Sequence, residues 1–187
     1  GSLASKLVFK NKKELLATVP TNFFGLEAKD IDGNLVRFAD LENKYKAFLV
    51  TNVACKCGYT SDHYQQLVDL YNTYNSKGLA VMGFPCNQFF NQESQTDAEI
   101  KAYVQQQFKV TFPMFSKIEV NGENTHPVFK FLRNNSSLYN AETGEAKQVP
   151  WNFGKFLVDR TGKVVGFYPP NITPKEMEGE IKKLLDA

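Results

Sequence analysis

The chain has 187 residues, 42% of them hydrophobic and 16 of them phenylalanine, which suits one globular domain with a continuous core and excludes a disordered chain. Its 22 basic and 20 acidic residues leave a net charge of +2, a balance that carries no signature of a nucleic-acid or other polyanion partner. No apolar run approaches the roughly 20 residues that cross a bilayer, and three cysteines are too few for a disulfide framework, so the thiols are read as free and the compartment as reducing.

Residues 1–20, opening on Gly1-Ser2 and carrying Lys10, Lys12 and Lys13, read as a tag remnant and a flexible, solvated segment ahead of one domain over 21–187. The cytoplasm is the expected location; organellar and secretory addresses stay open, since a leader ahead of Gly1 would not be seen. Phe23-Phe24 and Leu35-Val36-Arg37-Phe38 flank an Asp32-Gly33 turn signal and predict a hairpin. Ala47 to Ala54 is almost continuously apolar, as in a strand buried on both faces. Tyr64, Leu67, Val68, Tyr71 and Tyr74 then recur at helical spacing, and Leu79 to Phe84, closed by Pro85, forms a second buried strand. Thr96-x-x-Glu99 is a capping box that opens a helix with Ile100, Tyr103, Val104 and Phe108 inward. Phe115 to Val120 reads as a strand ended by Asn121-Gly122, and Pro127 starts a short helix over Val128 to Leu132. Residues 134–150 lack periodicity and read as a loop. Phe153 to Val158 and Lys163 to Tyr168 flank Arg160-Thr161-Gly162 as a hairpin. A second capping box, Thr173 to Glu176, opens a last helix that buries Met177, Ile181, Leu184 and Leu185. The order β-α-β-α, one inserted helix, then β-β-α is that of an α/β, thioredoxin-like fold, a central mixed β-sheet flanked by helices.

The segment Asn52-Val53-Ala54-Cys55-Lys56-Cys57-Gly58-Tyr59-Thr60 lies where the first buried strand gives way to a helix, the edge at which open α/β sheets build sites. A cysteine there meets unpaired backbone N–H groups and the positive end of the helix dipole, which favour the anionic sulfur that acts as a nucleophile. Gly58 permits a tight turn and leaves the sulfur approachable. Cys57 as a small buried hydrophobe is the plain alternative. Zinc fails on spacing, because Cys-x-Cys with Cys86, His63 and His126 makes no paired ligand set. Thioredoxin-type disulfide exchange would call for Cys-x-x-Cys.

Two further segments favour the nucleophile. Phe84-Pro85-Cys86-Asn87-Gln88-Phe89-Phe90-Asn91-Gln92-Glu93 follows the second buried strand at the same sheet edge, and Pro150-Trp151-Asn152-Phe153 holds the only tryptophan. Gln92 and Asn152 offer amide N–H donors and Trp151 an indole N–H. Such donors stabilise a thiolate without a counter-ion and can hold a peroxide oxygen or the departing alkoxide.

Asn-Val-Ala-x-x-Cys-Gly-x-Thr at 52–60, Phe-Pro-Cys-Asn-Gln-Phe at 84–89 with Gln92-Glu93, and Trp-Asn-Phe at 151–153 together resemble the signature set of the glutathione peroxidase family, in its cysteine-containing, phospholipid-hydroperoxide and thioredoxin-dependent-like subgroup. The resemblance runs from about Phe23 to the C-terminus. It implies a catalytic tetrad of Cys57, Gln92, Trp151 and Asn152, with Cys57 standing where many animal members carry selenocysteine. It also implies a cycle in which Cys57 takes a peroxide oxygen to become a sulfenic acid, condenses with a thiol to a disulfide, and is released by a second thiol. No cofactor is expected beyond glutathione or thioredoxin as reducing co-substrate.

Many cysteine-containing relatives place a resolving cysteine in the helix that here reads Ala102 to Phe108, where Gln105 stands instead. Glutathione therefore leads as reductant, although Tyr59 and Pro150 occupy positions where phospholipid-type relatives carry basic residues; Lys147 and Lys155 are the cations nearest in sequence. Cys86 or Cys55 as resolving thiol is the thioredoxin-dependent alternative, and a redox sensor relaying oxidation to a partner protein is the alternative of another class. The 134–150 segment is shorter than the insertion of tetrameric relatives, so a monomer is expected, with an open site for lipid hydroperoxides as well as hydrogen peroxide and with Phe89 and Phe90 near it.

Overall fold

A computed structural model of the chain describes residues 12–187. In chain order its elements are β1 (Lys13–Glu14), β2 (Glu27–Lys29), β3 (Leu35–Arg37), β4 (Ala47–Val53), α1 (Thr60–Tyr74), β5 (Leu79–Pro85), α2 (Asp97–Phe108), α3 (Pro127–Asn134), β6 (Tyr139–Asn140), β7 (Glu145–Lys147), β8 (Lys155–Asp159), β9 (Val164–Tyr168) and α4 (Glu178–Asp186). Every residue of β4 and β5 is buried, as their unbroken apolar runs require. These two strands pair in parallel across α1, β8 pairs antiparallel with β4, and β9 closes the sheet in the order β5-β4-β8-β9. The mixed sheet and its flanking helices are the α/β architecture expected.

Alternate residues of β4 serve two cores. Phe48 and Val50 join Phe23, Phe38, Phe84, Phe129 and Phe156 on one face, while Ala47, Leu49 and Val53 join Tyr64, Leu67, Phe112 and Ile181 beneath the helices on the other. Each fully buried phenylalanine contributes roughly 1.5–3 kcal/mol by leaving water. The register then decides where chemistry can sit. Val53 pairs with Pro85 at the common end of β4 and β5, and Thr51 pairs with Lys155 at the start of β8. Residues 54–60, 86–93 and 151–154 therefore leave the sheet at one edge.

Both capping boxes are present: Thr96 and Glu99 satisfy each other's backbone N–H groups, as do Thr173 and Glu176. Four readings are corrected. Phe23 and Phe24 form a one-turn 3-10 helix capped by the Asn22 side chain, and the hairpin around Asp32-Gly33 is made by Glu27–Lys29 and Leu35–Arg37. Phe115 to Val120 is not a strand, because its N–H groups go to scattered acceptors: Phe115 to the Gly83 carbonyl, Ser116 to Lys29 and Ile118 to Pro85. The segment 134–150 is no plain loop; β6 and β7 form a hairpin whose β7 also takes β1, in the order β1-β7-β6. That last pairing corrects the reading of 1–20 as a free segment at Lys13 and Glu14 alone, which are strand, while residues 1–11 lie outside the described residues. A buried guanidinium is the cause. Arg133 donates to the carbonyls of Val120, Ala146 and Lys147 and to the Glu14 carboxylate at 2.9 Å, so the N-terminal strand is clipped to the hairpin by a non-local ion pair.

Candidate active site

Cys57 lies in the turn between β4 and α1 and is half-buried, whereas Cys55 and Cys86 are buried. Thr60, the first residue of α1, winds that turn. Its hydroxyl accepts the Cys57 N–H at 3.0 Å and donates to the Ala54 carbonyl at 2.7 Å, while its own N–H reaches the Cys57 carbonyl at 3.1 Å. The Tyr59 N–H, one of the donors a helix start leaves without an intrahelical acceptor, points at the Cys57 sulfur at 3.4 Å. A Cβ on Gly58 would meet nothing within 4 Å, so the turn opens to solvent on that side.

The segment after β5 lies against this turn. The Gln92 carbonyl accepts the Lys56 N–H at 3.1 Å, and the Glu93 carboxylate accepts the Cys55 N–H at 3.0 Å. The segment before β8 is strapped to the end of β4 by the buried side chain of Asn52, which donates to the Trp151 carbonyl at 3.0 Å and accepts the Gly154 N–H at 3.0 Å. The Phe153 N–H adds a 2.7 Å bond to the Asn52 carbonyl, and Phe153 is held left-handed at φ 62°. Gly154 must be glycine here, since a Cβ would lie 2.9 Å from Val149 and 3.2 Å from the Asn52 oxygen.

The two outer segments join through side chains. Asn152 Nδ2 donates to Gln92 Oε1 at 2.8 Å. Among the described residues, neither the Gln92 amide nitrogen nor the Trp151 indole N–H meets a protein acceptor, so both donors remain available to something bound. Trp151 is only 7% exposed and lies between Phe89 and Phe90, with ring centroids 5.5 and 5.1 Å away. Phe90 is 61% exposed and, like Asn91, left-handed at φ 53°, a conformation a bulky residue seldom adopts. The structure thus brings Gln92 and Asn152 into direct contact, ties the Gln92 backbone to the residue before Cys57, and sets Trp151 beside Asn152 at the same edge.

The other two thiols belong to opposite cores: Cys55 packs on the helix side with Tyr64, Cys86 on the other face with Phe84 and Phe89. Burial, with the Glu93 carboxylate beside it, pushes the Cys55 thiol far above its usual range, and burial pushes Cys86 up to about 11. Glu93 is itself raised to about 7 by burial, against the hydrogen bonds from Cys55.

Sequence reasoning missed three supports. Asn52 and Thr60 appeared only as motif letters; their signal is a polar side chain ending a strand and one opening a helix. Lys155, read as a cation for a reductant, is fully buried and engaged by His63 and two carbonyls, which removes it from any surface site. Its signal was a lysine interrupting the apolar run from Phe153 to Val158.

Residues 23–133 match the family model described as glutathione peroxidase. The chain is 48% identical over 141 residues to the glutathione peroxidase homolog BsaA of Bacillus subtilis, covering 75% of this chain and 85% of that protein. It is 44% identical over 172 residues to the hydroperoxy fatty acid reductase gpx1 of Synechocystis, covering 91% of this chain and all of that protein. Among solved structures, a thioredoxin-family thiol:disulfide interchange protein from Chlorobium tepidum superposes with a TM-score of 0.61 at 19% identity, over 91% of this chain and 99% of that one, a likeness of fold alone.

Proposed function

This chain belongs to the glutathione peroxidase family of peroxidases, and from that premise we propose that Cys57 is the peroxidatic residue, with Gln92, Trp151 and Asn152 as its donors. The thiolate attacks the terminal peroxide oxygen, the O–O bond breaks, and the departing alkoxide takes a proton to leave as water or alcohol, so that sulfur is oxidised to a sulfenic acid. One glutathione condenses with the sulfenic acid, releasing water and leaving a mixed disulfide; a second displaces Cys57 and departs as oxidised glutathione. No bound cofactor takes part.

The observation that carries this reading is the 2.8 Å bond from Asn152 to the Gln92 oxygen. It spends the oxygen and leaves the Gln92 N–H2 to face a substrate, in a segment whose backbone is tied next to Cys57. Donors fixed before the reaction act where charge develops, at no cost in reorganisation during it. External glutathione is favoured over an internal resolving thiol because Cys55 and Cys86 are buried in opposite cores and held as neutral thiols. Organic and lipid hydroperoxides are substrates alongside hydrogen peroxide, in keeping with the exposed Phe90 edge-on to Trp151 and with the named activity of the cyanobacterial relative. The protein acts as a monomer.

The test is the mass of the protein after one equivalent of peroxide without reductant, followed by turnover with glutathione or with thioredoxin and its reductase. Gain of one oxygen on Cys57 and turnover with glutathione are expected. Loss of two hydrogens and turnover with thioredoxin alone would replace the reductant assignment with the internal-disulfide cycle. Rapid oxidation of Cys57 without turnover on either would make the protein a sensor.

A further inference from the structure

Behind the Trp151–Gly154 turn lies a buried cation that the peroxide chemistry does not touch. Lys155, the first residue of β8, is fully buried, and its Nζ donates to the Phe153 carbonyl at 2.7 Å, to His63 Nε2 at 2.9 Å and to the Pro169 carbonyl at 3.3 Å. An ammonium can only donate, so His63 Nε2 must be the unprotonated nitrogen of its ring. The proton then sits on Nδ1, which donates to the Tyr59 carbonyl at 3.2 Å. One unbroken relay runs from the Phe153 carbonyl through Lys155 and His63 to Tyr59, the residue whose N–H points at Cys57.

Two independent features show that this relay holds something in place. Phe153 is a bulky residue kept left-handed, a state that persists only where its surroundings over-determine it. Its N–H is fixed by Asn52 and its carbonyl by Lys155, so the bonds on either side define the backbone on which Asn152 is mounted. His63 also lies on the Phe153 ring, with centroids 4.8 Å apart, so the same imidazole meets the turn by packing and by hydrogen bond. A fully buried lysine is costly unless each N–H is satisfied, and here all three are.

We propose that Lys155 is a positioning residue for peroxide reduction, its ammonium tying the Trp151–Phe153 turn to the first turn of α1 through His63 so that the Asn152 carboxamide keeps its place against Gln92, whose backbone is bound beside Cys57. The role rests on the peroxidase assignment above and adds to it a residue that touches neither substrate nor sulfur. The groups facing the ammonium are His63 from α1, Glu176 from the turn ahead of α4, and Tyr168, its register partner on β9. Burial pushes Lys155 down to about 7, against Glu176, and pushes the His63 imidazole down to about 3, while Tyr168 is raised. Lys155 is therefore the member of this cluster that changes charge between about pH 6 and 9.

The experiment compares Lys155→Met, Lys155→Arg and His63→Leu with the wild type. Stopped-flow Trp151 fluorescence reads the rate of oxidation by hydrogen peroxide, iodoacetamide reads the reactivity of the Cys57 thiolate, and thermal melts control for folding. Lys155→Met is expected to slow oxidation roughly tenfold or more, as a displacement of about 1 Å would, with alkylation within about twofold of wild type. Lys155→Arg recovers part of the rate, and His63→Leu loses roughly three- to fivefold. Oxidation by Lys155→Met at the wild-type rate overturns the proposal, and so does a parallel fall in alkylation, which would mean general damage. If Lys155→Met does not fold, the wild type decides: its oxidation rate, divided by the thiolate fraction measured at 240 nm, falls roughly threefold from pH 6 to 9 as a charge-assisted bond is lost, and a flat profile overturns the role. Loss of the peroxidase reading itself has a different mark, since wild-type Cys57 would then fail to oxidise at all.

Discussion

The two halves of the site are held by opposite means. The turn carrying Cys57 is wound by one hydroxyl and a few backbone bonds, and it is open on the Gly58 side. The turn carrying Trp151 and Asn152 is buried from Trp151 through Lys155, strained at Phe153, and clamped by Asn52 on one side and an ammonium on the other. In the cycle proposed above, the Cys57 sulfur has to be reached first by peroxide and then by a thiol, which calls for access. Donors that must meet a developing charge need fixity instead. The open turn lies on one side of the site and the buried, clamped turn on the other.

Four measurements bear on that contrast, beginning with the largest effect. Cys57→Ser should lower glutathione-dependent peroxide consumption by roughly a thousandfold or more, whereas Gln92→Ala should slow only the oxidation step, by about ten- to a hundredfold; a serine variant with wild-type turnover would put the nucleophile elsewhere. The clamps should differ in stability. Asn52→Ala strands two buried partners and leaves a void, and should cost about 3–4 kcal/mol in a urea melt, against about 1–2 kcal/mol for the isosteric Thr60→Val. Equal losses would mean that the two turns are alike in rigidity.

Glu93, buried against the Cys55 N–H, gives a pH signature. Its folded carboxyl is raised to about 7 from an ordinary 4.5, so between those values the folded chain binds more protons than the unfolded one. Its stabilising contribution is therefore full below about pH 4.5 and lost as pH rises through 7, a change of roughly 3 kcal/mol relative to Glu93→Gln. His63, depressed to about 3, acts in the opposite sense below pH 6.5, which is why the difference between wild type and variant is the quantity to follow. A constant difference across that range would show Glu93 to be solvated. The smallest effect is expected at the rim: Phe90→Gly relieves about 1 kcal/mol of left-handed strain while losing a similar aromatic contact, so stability stays nearly level while oxidation by a fatty-acid hydroperoxide slows a few-fold and hydrogen peroxide does not. Equal slowing of both peroxides would remove Phe90 from substrate contact.

What could be read from the sequence follows from how locally it is encoded. The runs at Ala47 to Val53 and Leu79 to Pro85 announce buried strands by themselves, and parallel strands ending together bring the segments behind them together. Cys57, Gln92, Trp151 and Asn152 could be named for that reason. The contacts among them could not, because Asn52, Thr60 and Glu93 act through one or two polar bonds each, which leave no periodic trace. The N-terminal clip escaped notice likewise: Glu14 and Arg133 are 119 positions apart. The stretch Phe115 to Val120 misled because an extended apolar chain looks the same whether its N–H groups meet one neighbour or several.

The shared end of β4 and β5 also sets where the molecule can change length. One residue added between Pro85 and Gln92 would lengthen the turn whose Gln92 carbonyl holds the Lys56 N–H and would move the carboxamide away from Asn152. An insertion at the far pole, in the turn at Ser76–Gly78 or at Arg160–Gly162, displaces nothing that the nucleophile meets. Drift in loop size should therefore gather at the pole opposite Cys57, leaving the reactive edge at constant length.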